Sequence, residues 1–262
     1  MKYKYLVALL IVLNVSCEDI FQYSPNEVSP HERNINATNI SKIHQDATAP
    51  FRFIVISDIH HAYDELKEFV SMANGLSDIR FVAVAGDLTN FGLQFEYEAV
   101  HRELDKLNYP YIAVIGNHDL LANGQKVYEE MYGKMDFSFE VDELKFVFLN
   151  TNSREFGFPG NVPDLNFLQR ELSDTLSYEK AFVIAHVPAS DSDFDPNLSE
   201  AFSNILGYGK VTACINGHKH EYDMSEPGEL GFYQVVSDDL KDRSYVLITV
   251  TPGDLVIEKK QF

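Results

Sequence analysis

Five short clusters of polar residues in this 262-residue chain have the types and spacing that metal chemistry needs. They are Asp58-x-His60, Gly86-Asp87, Gly116-Asn117-His118-Asp119, His186 and Gly217-His218-x-His220. An Asp and a His two residues apart at the end of a strand point to the same side and can reach one ion. Asp87 has two carboxylate oxygens, so it can bridge two cations. His186, His218 and His220 add imidazoles, which suit zinc, iron or manganese better than magnesium. Asn117 offers a neutral oxygen, and His118 a nitrogen or a proton. Asp119 is able to fix the tautomer of a neighbouring His. Any one of these clusters is common by chance. Five in one chain, each directly after an apolar run, are not.

The elements that must position them follow from the pattern of apolar residues. Phe51–Ser57, Phe81–Ala85, Tyr111–Val114, Ala181–Ala185 and Val211–Ile215 read as buried strands, and each hands over to one cluster. Between the first three, Tyr63–Asn74 and Tyr97–Leu107 read as helices. In the former, Leu66, Phe69, Val70 and Ala73 share one face. This is a βαβαβ order, which predicts parallel strands, right-handed crossovers and polar ends gathered along one edge. Further on, Phe137–Val141 and Lys145–Leu149 form a hairpin. Helices are expected over 164–176 and 198–208. Three closing strands are expected over 231–236, 245–250 and 255–259.

Composition bounds the possibilities. Hydrophobic residues make up 45% and charged residues 23%, as in an ordinary globular protein. The formal net charge of -19 argues against nonspecific nucleic-acid binding and against electrostatic attraction to anionic lipid. The N-terminus has a short basic start, Met1–Lys4, then the apolar run Leu6–Leu13, then Asn14-Val15-Ser16-Cys17. That run is too short to span a bilayer. It resembles a bacterial lipoprotein signal, with cleavage before a lipidated Cys17. The chain is therefore expected to divide into a signal peptide at 1–16, a flexible polar tether at 17–50 and a domain at 51–262. It would be lipid-anchored to a membrane of a bacterial cell envelope, on the extracytoplasmic side. Cys214 sits in an apolar strand and reads as an inert buried thiol. His31 and His44 fall in the tether, and His101 reads as a helix-surface residue.

The ordered motifs D-x-H, G-D, G-N-H-D, H and G-H-x-H resemble those of the calcineurin-like metallophosphoesterase superfamily, over roughly residues 51–250. The resemblance implies an α/β fold of two packed mixed β-sheets flanked by helices on both outer faces. It also implies two divalent metal ions at the strand ends. Asp58, His60, Asp87 and His220 would hold one ion, and Asp87, Asn117, His186 and His218 the other. His118 would be the acid beside the phosphate, Asp119 its orienting partner, and Asn117 and His118 would touch substrate. Such a pair of ions, about 3.5–4 Å apart, lowers the pKa of a bound water toward about 7 and so supplies hydroxide for in-line attack. The second motif continues Leu88-Thr89-Asn90-Phe91-Gly92, without the Arg of the Ser/Thr protein phosphatases. Asn90 and His60 stand where purple acid phosphatases have Tyr and Gly. The set is more similar to the bacterial cyclic-nucleotide-phosphodiesterase-like branch.

The expected activity is hydrolysis of a small phosphate ester, with a phosphodiester preferred. The same site would also serve a phosphomonoesterase or a hydrolase of nucleotide sugars and pyrophosphates. A binding protein of the cell surface that retains metal without turnover is the alternative of another class, and the intact His118 counts against it. Asn150–Asn152 read equally as a turn or as substrate contacts, and Phe156–Gly160 as a packed loop or an aromatic lid.

Overall fold

The computed structural model describes residues 28–45, 50–226, 228, 231–251 and 253–262. The signal peptide and Cys17 lie outside them. Strands β1 (Phe51–Ile56), β2 (Ile79–Ala85), β3 (Tyr111–Val114), β10 (Ser244–Val250) and β11 (Leu255–Gln261) form one sheet in the order β11-β10-β1-β2-β3. Strands β4 (Phe137–Val141), β5 (Leu144–Leu149), β6 (Lys180–Ala185), β7 (Val211–Asn216), β8 (Asp223–Ser225) and β9 (Tyr233–Val236) form the other, in the order β4-β5-β6-β7-β9-β8. The strands that deliver the five clusters run parallel within their sheets, β1-β2-β3 in the first and β6-β7 in the second. Both sheets are mixed, because β10, β11, β4 and β8 pair antiparallel.

The period of two along each strand explains the layers. Phe53 and Val55 of β1, Phe81 and Ala83 of β2 and Phe182 and Ile184 of β6 all point into the space between the sheets. There, aromatic rings interlock: Phe53 stacks on Phe81 at 5.2 Å and meets Phe146 edge-on at 5.3 Å. The alternate residues Ile54, Ile56, Val82 and Val84 face outward, beneath the helices α2 (Tyr63–Ala73), α3 (Gln94–Leu104) and α4 (Gly124–Met131). On the opposite face, Val183 and Val211 pack under α5 (Leu165–Ser173) and α6 (Ser199–Tyr208). The result is helix, sheet, sheet, helix, as expected. Leu66, Phe69, Val70 and Ala73 are the buried face of α2.

Four features differ from the sequence expectations. The expected tether at 17–50 includes a segment that packs on the domain. A short helix, α1 (Ile35–Ile40), lies along β3, the edge strand of its sheet. The Asn36 amide donates to Ala113 O and accepts from Ala113 N, both at 2.9 Å, as a neighbouring strand would. Asn39 donates to Tyr111 O at 2.8 Å. Apolar periodicity does not reveal such docking, because side-chain amides do the pairing and cover the sheet edge. Helix α4 forms where the sequence pattern predicts no element. Thirdly, α5 stops at Ser173, three residues early, and leaves Leu176 almost fully exposed. His101 is half-buried, with Nδ1 2.7 Å from the Tyr111 hydroxyl, rather than a surface residue.

Candidate dimetal centre

The C-terminal ends of β1, β2, β3, β6 and β7 converge on one edge of the sandwich. Asp58 and His60 follow β1, Asp87 follows β2, and Asn117 follows β3. His186 follows β6, and His218 and His220 follow β7. The first sheet thus supplies Asp58, His60, Asp87 and Asn117, and the second supplies the other three imidazoles. Asp58, Asp87 and His186 are wholly or almost wholly buried.

Asp58, His60, Asp87 and His220 each offer a ligand atom within 4.8 Å of the others, which is the first expected set in full. The Nε2 atoms of His60 and His220 face each other at 3.3 Å, and His220 Nε2 is 3.2 Å from Asp58 Oδ1. The second set closes around Asn117 Oδ1, 2.9 Å from His186 Nε2 and 3.0 Å from His218 Nδ1. Asp87 joins the two. Its Oδ2 lies 3.7 Å from His60 Nε2 and 3.3 Å from His186 Nε2, while Oδ1 accepts the His118 amide at 2.9 Å.

These donors fit a pair of divalent cations. Two imidazole nitrogens that face each other beside two buried carboxylates leave lone pairs that only a cation or a proton satisfies. Among the described residues, the ionic partners of Asp58 and Asp87 are imidazoles and no Lys or Arg. The mixed nitrogen and oxygen set suits manganese, iron or zinc. Outer contacts orient the rings, as metal-binding imidazoles require. His186 Nδ1 donates to Ala85 O at 2.8 Å, which leaves Nε2 as the ligand atom.

Without cations, burial and charge pull these groups apart. Burial lowers the His60 imidazole to about 4 against the attraction of Asp87 and Asp58. Burial also opposes the charge on His186 and on Asp87, but each outweighs it for the other. His186 is pushed up to about 10 and Asp87 down to about 2.

The backbone is shaped for close approach. Asp58, Asp87, His218 and His220 all have left-handed backbones, with φ of 52, 55, 73 and 54°. Each such residue costs on the order of 1–3 kcal/mol, and such positions cluster where function needs them. A Cβ on Gly116 would lie 2.1 Å from both the amide nitrogen and Oδ1 of Asp87. Only glycine there lets β3 end against the bridging carboxylate. Gly86, at φ +89, makes the same room for the His186 ring.

His118 stands beside the ligands and not among them. Its ring stacks on His60, with centroids 4.5 Å apart and planes 6° from parallel. Its Nδ1 is 2.9 Å from the main-chain oxygen of Asn90, so Nδ1 carries the hydrogen. Nε2 makes no hydrogen bond among the described residues and is the atom able to carry a proton to a leaving group.

Asp119 does not have the role expected for it. Its carboxylate accepts from the amides of Leu88, Thr89 and Gly116 and from the Thr89 hydroxyl, at 2.8 to 3.1 Å, and not from His118. It ties the loop after β2 to the loop after β3. The orienting partner of His118 is Asn90. Adjacency in sequence pointed to Asp119, but the one-turn helix His118–Leu120 turns the two side chains apart.

Other residues escaped the sequence reading. Asp191 and Asp193 approach His218 Nε2 to 3.7 and 3.6 Å, and Asp239 lies 3.8 Å from His220 Nδ1. None stands in a motif, and only the fold brings them near. Asp191, Asp193 and His218 form a second group of potential ligands, but Arg154 and Lys219 pair with these carboxylates. Asn150–Asn152 are buried and hold loops: Asn152 donates to Ile115 O at 3.0 Å, and Thr151 accepts from the Val187 amide at 2.9 Å.

Comparisons with known proteins agree with this fold. The profile of the calcineurin-like phosphoesterase family matches residues 51–222. A protein named as a probable cyclic nucleotide phosphodiesterase of Xenorhabdus bovienii is 26% identical over 168 residues, which span 60% of this chain and 68% of that one. A glycerophosphodiester phosphodiesterase of Enterobacter lignolyticus is 25% identical over 174 residues, 61% of this chain and 63% of that one. The chain thus spans about two thirds of the length of these relatives. A dimetal phosphatase of Danio rerio shares the fold with a TM-score of 0.66 at 14% identity, over 81% of this chain and 97% of its own. With the motifs, the sandwich and the profile in agreement, the chain belongs to the calcineurin-like phosphoesterase family, which hydrolyses phosphate esters with two divalent metal ions.

Proposed function

We propose that the chain is a phosphodiesterase acting on a small organic diester. The observation that carries this reading is His118, with Nδ1 held by Asn90 O and Nε2 free beside the ligand shell. The alcohol of a phosphate ester leaves phosphorus as an alkoxide that needs a proton, and an imidazole so placed is suited to give it, which supports ester hydrolysis; the preference for a diester rests on the charge balance. The charge balance supports the same reading. Arg154, Lys219 and Lys241, the cations at the rim, are paired with Asp193, Asp191 and Asp239. A monoanionic diester asks for less positive charge than a dianionic monoester. The names of the two relatives above point the same way.

Asp58, His60, Asp87 and His220 would hold one cation, and Asp87, Asn117, His186 and His218 the other. When bound, the two ions supply charge neutralisation at the phosphoryl oxygens and a water acidic enough to ionise near neutral pH. The chain's own residues do the rest. Asp87 sets the separation of the two half-sites, the His60 ring supports His118 by stacking, and His118 Nε2 delivers the proton.

The reading extends to location. The basic start, the short apolar run and Ser16-Cys17 support cleavage and lipidation at Cys17, and hence a lipid anchor on the extracytoplasmic side of a bacterial envelope. Mass spectrometry of the mature N-terminus tests that part. For the chemistry, bis(p-nitrophenyl) phosphate, p-nitrophenyl phosphate and a nucleotide sugar are compared with Mn²⁺ and with chelator. Faster metal-dependent turnover of the diester is expected. A clear preference for the monoester or the nucleotide sugar overturns the diesterase reading. No turnover of any of them with metals bound overturns the enzyme.

A further inference from the structure

Three large apolar side chains are exposed around one loop beside His118. Phe91 is 56% exposed, Phe95 54% and Leu121 42%. Phe91 follows Asn90, whose carbonyl holds His118. Leu121 closes the one-turn helix that His118 opens, its amide donating to His118 O at 3.3 Å. Gly92 brings the two stretches together, since a Cβ there would lie 2.4 Å from Leu121 O. Phe95 stands in the first turn of α3. The other strongly exposed apolar pair, Leu176 and Tyr208, follows α5 and ends α6. It adjoins Lys210, before the start of β7, and so lies at the strand ends opposite the site.

The N-terminal segment reaches the domain at the same place. The Ser29 amide donates to Gln94 Oε1 at 2.8 Å, and His31 Nδ1 is 3.3 Å from Glu98 Oε1. Gln94 is the neighbour of Phe95. Cys17 precedes Val28 by 11 residues, which reach at most about 40 Å when fully extended. The chain that leads to Cys17 therefore leaves the described domain on this side, next to the N-terminus of α3.

We infer that Phe91, Phe95 and Leu121 seat on the lipid surface to which the chain is anchored, and turn the dimetal site toward phosphodiesters carried in that surface. Exposed aromatic and aliphatic side chains such as these partition into the headgroup boundary. A net charge of -19 selects a zwitterionic surface over an anionic one. This inference rests on the lipid anchor proposed above.

The test uses the full lipidated chain in vesicles of phosphatidylcholine and phosphatidylethanolamine. An environment-sensitive fluorophore is placed by Phe95→Cys or, as the control on the opposite end, by Tyr208→Cys. The label at position 95 is expected to shift its emission to the blue and to be quenched by brominated lipid, and the label at position 208 is not. In parallel, Phe91→Ser with Phe95→Ser is assayed on p-nitrophenyl hexadecyl phosphate held in the vesicles and on soluble bis(p-nitrophenyl) phosphate. Turnover of the vesicle-held diester is expected to fall roughly tenfold or more, with the soluble rate held within roughly twofold. A wild-type chain that does not sediment with the vesicles refutes the anchor and the docking together. An anchored chain whose label at 95 stays in water refutes the docking alone. Equal loss on both diesters overturns it too, because the aromatics would then contact the leaving group.

Discussion

Removing Asp119 separates a staple from an orienter. Asp119→Ala leaves four buried donors without an acceptor: the amides of Leu88, Thr89 and Gly116 and the Thr89 hydroxyl. At about 1–3 kcal/mol each, they cost about 4–12 kcal/mol if nothing relaxes. Part of that is offset. Burial and the charge of Asp87 push the Asp119 carboxyl up to about 6, so its ionised form already costs about 3 kcal/mol near neutral pH. With some of the donors satisfied again by water, the expected net loss is about 3–5 kcal/mol. In a domain of this size that is a fall of roughly 6–20 °C in Tm. Thermal unfolding is measured with chelator present, so that metal binding does not enter. The imidazole ¹⁵N shifts of His118 are recorded alongside, and the hydrogen is expected to stay on Nδ1, because Asn90 O and not Asp119 holds it. A variant that melts within about 2 °C of wild type, with the hydrogen of His118 moved to Nε2, refutes the staple and restores the orienter.

The other expectations are simpler. His118→Ala keeps both metals by elemental analysis and loses rate on poor leaving groups by roughly 10²–10⁴-fold, with far less loss on p-nitrophenyl esters; an emptied metal site refutes its placement outside the ligand shell. Asn117→Ala does the reverse, weakening metal-dependent turnover because one oxygen faces both His186 and His218, and unchanged Mn²⁺ affinity would count against it. Asn36→Ala strips two hydrogen bonds from the buried Ala113 and is expected to cost about 2–3 kcal/mol, read as a Tm lower by roughly 4–12 °C; no change would make residues 35–40 a passive tether after all. Burial pushes the Asp136 carboxyl up to about 6 from an ordinary 3.8. The stability it contributes is therefore full below about pH 4 and lost as pH rises through about 6. Asp136→Asn, which keeps an oxygen for the Asn150 amide, should gain about 1–3 kcal/mol at pH 8 and little at pH 4 in urea unfolding, and an equal gain at both would refute the assignment.

The parts of this fold that were legible share one property: the signal was local. An apolar run closed by glycine and a polar triplet, as at Ile112–Asp119, marks both a buried strand and what it delivers. Five apolar runs, each followed by a polar cluster, were enough to assemble the ligand set, because parallel strands of one sandwich end together. What stayed illegible depends on contacts distant in sequence. Asn36 and Asn39 dock a helix on a sheet edge through amides, which no apolar period reports. Asp119 sits next to His118 in sequence but serves the loop after β2. Asn90, whose carbonyl sets the His118 tautomer, does so with a main-chain atom that every residue possesses. Asp191, Asp193 and Asp239 look like surface acids until the sheets bring them within 4 Å of His218 and His220.

Because the two sheets each carry part of the ligand set, neither half of the chain owns a site. Residues 51–117 and 186–220 hold complementary fragments, joined across the sandwich by the hydrogen bond from His186 to Ala85. A chain that has packed only its first sheet has two carboxylates, one imidazole and an amide, too open an array to close around two ions. Hydrolysis by the pair of ions therefore requires both sheets to be packed together. The same seam makes chelation a mechanical event: with the ions removed, the edge where the sheets meet is the first place to look for accelerated amide exchange.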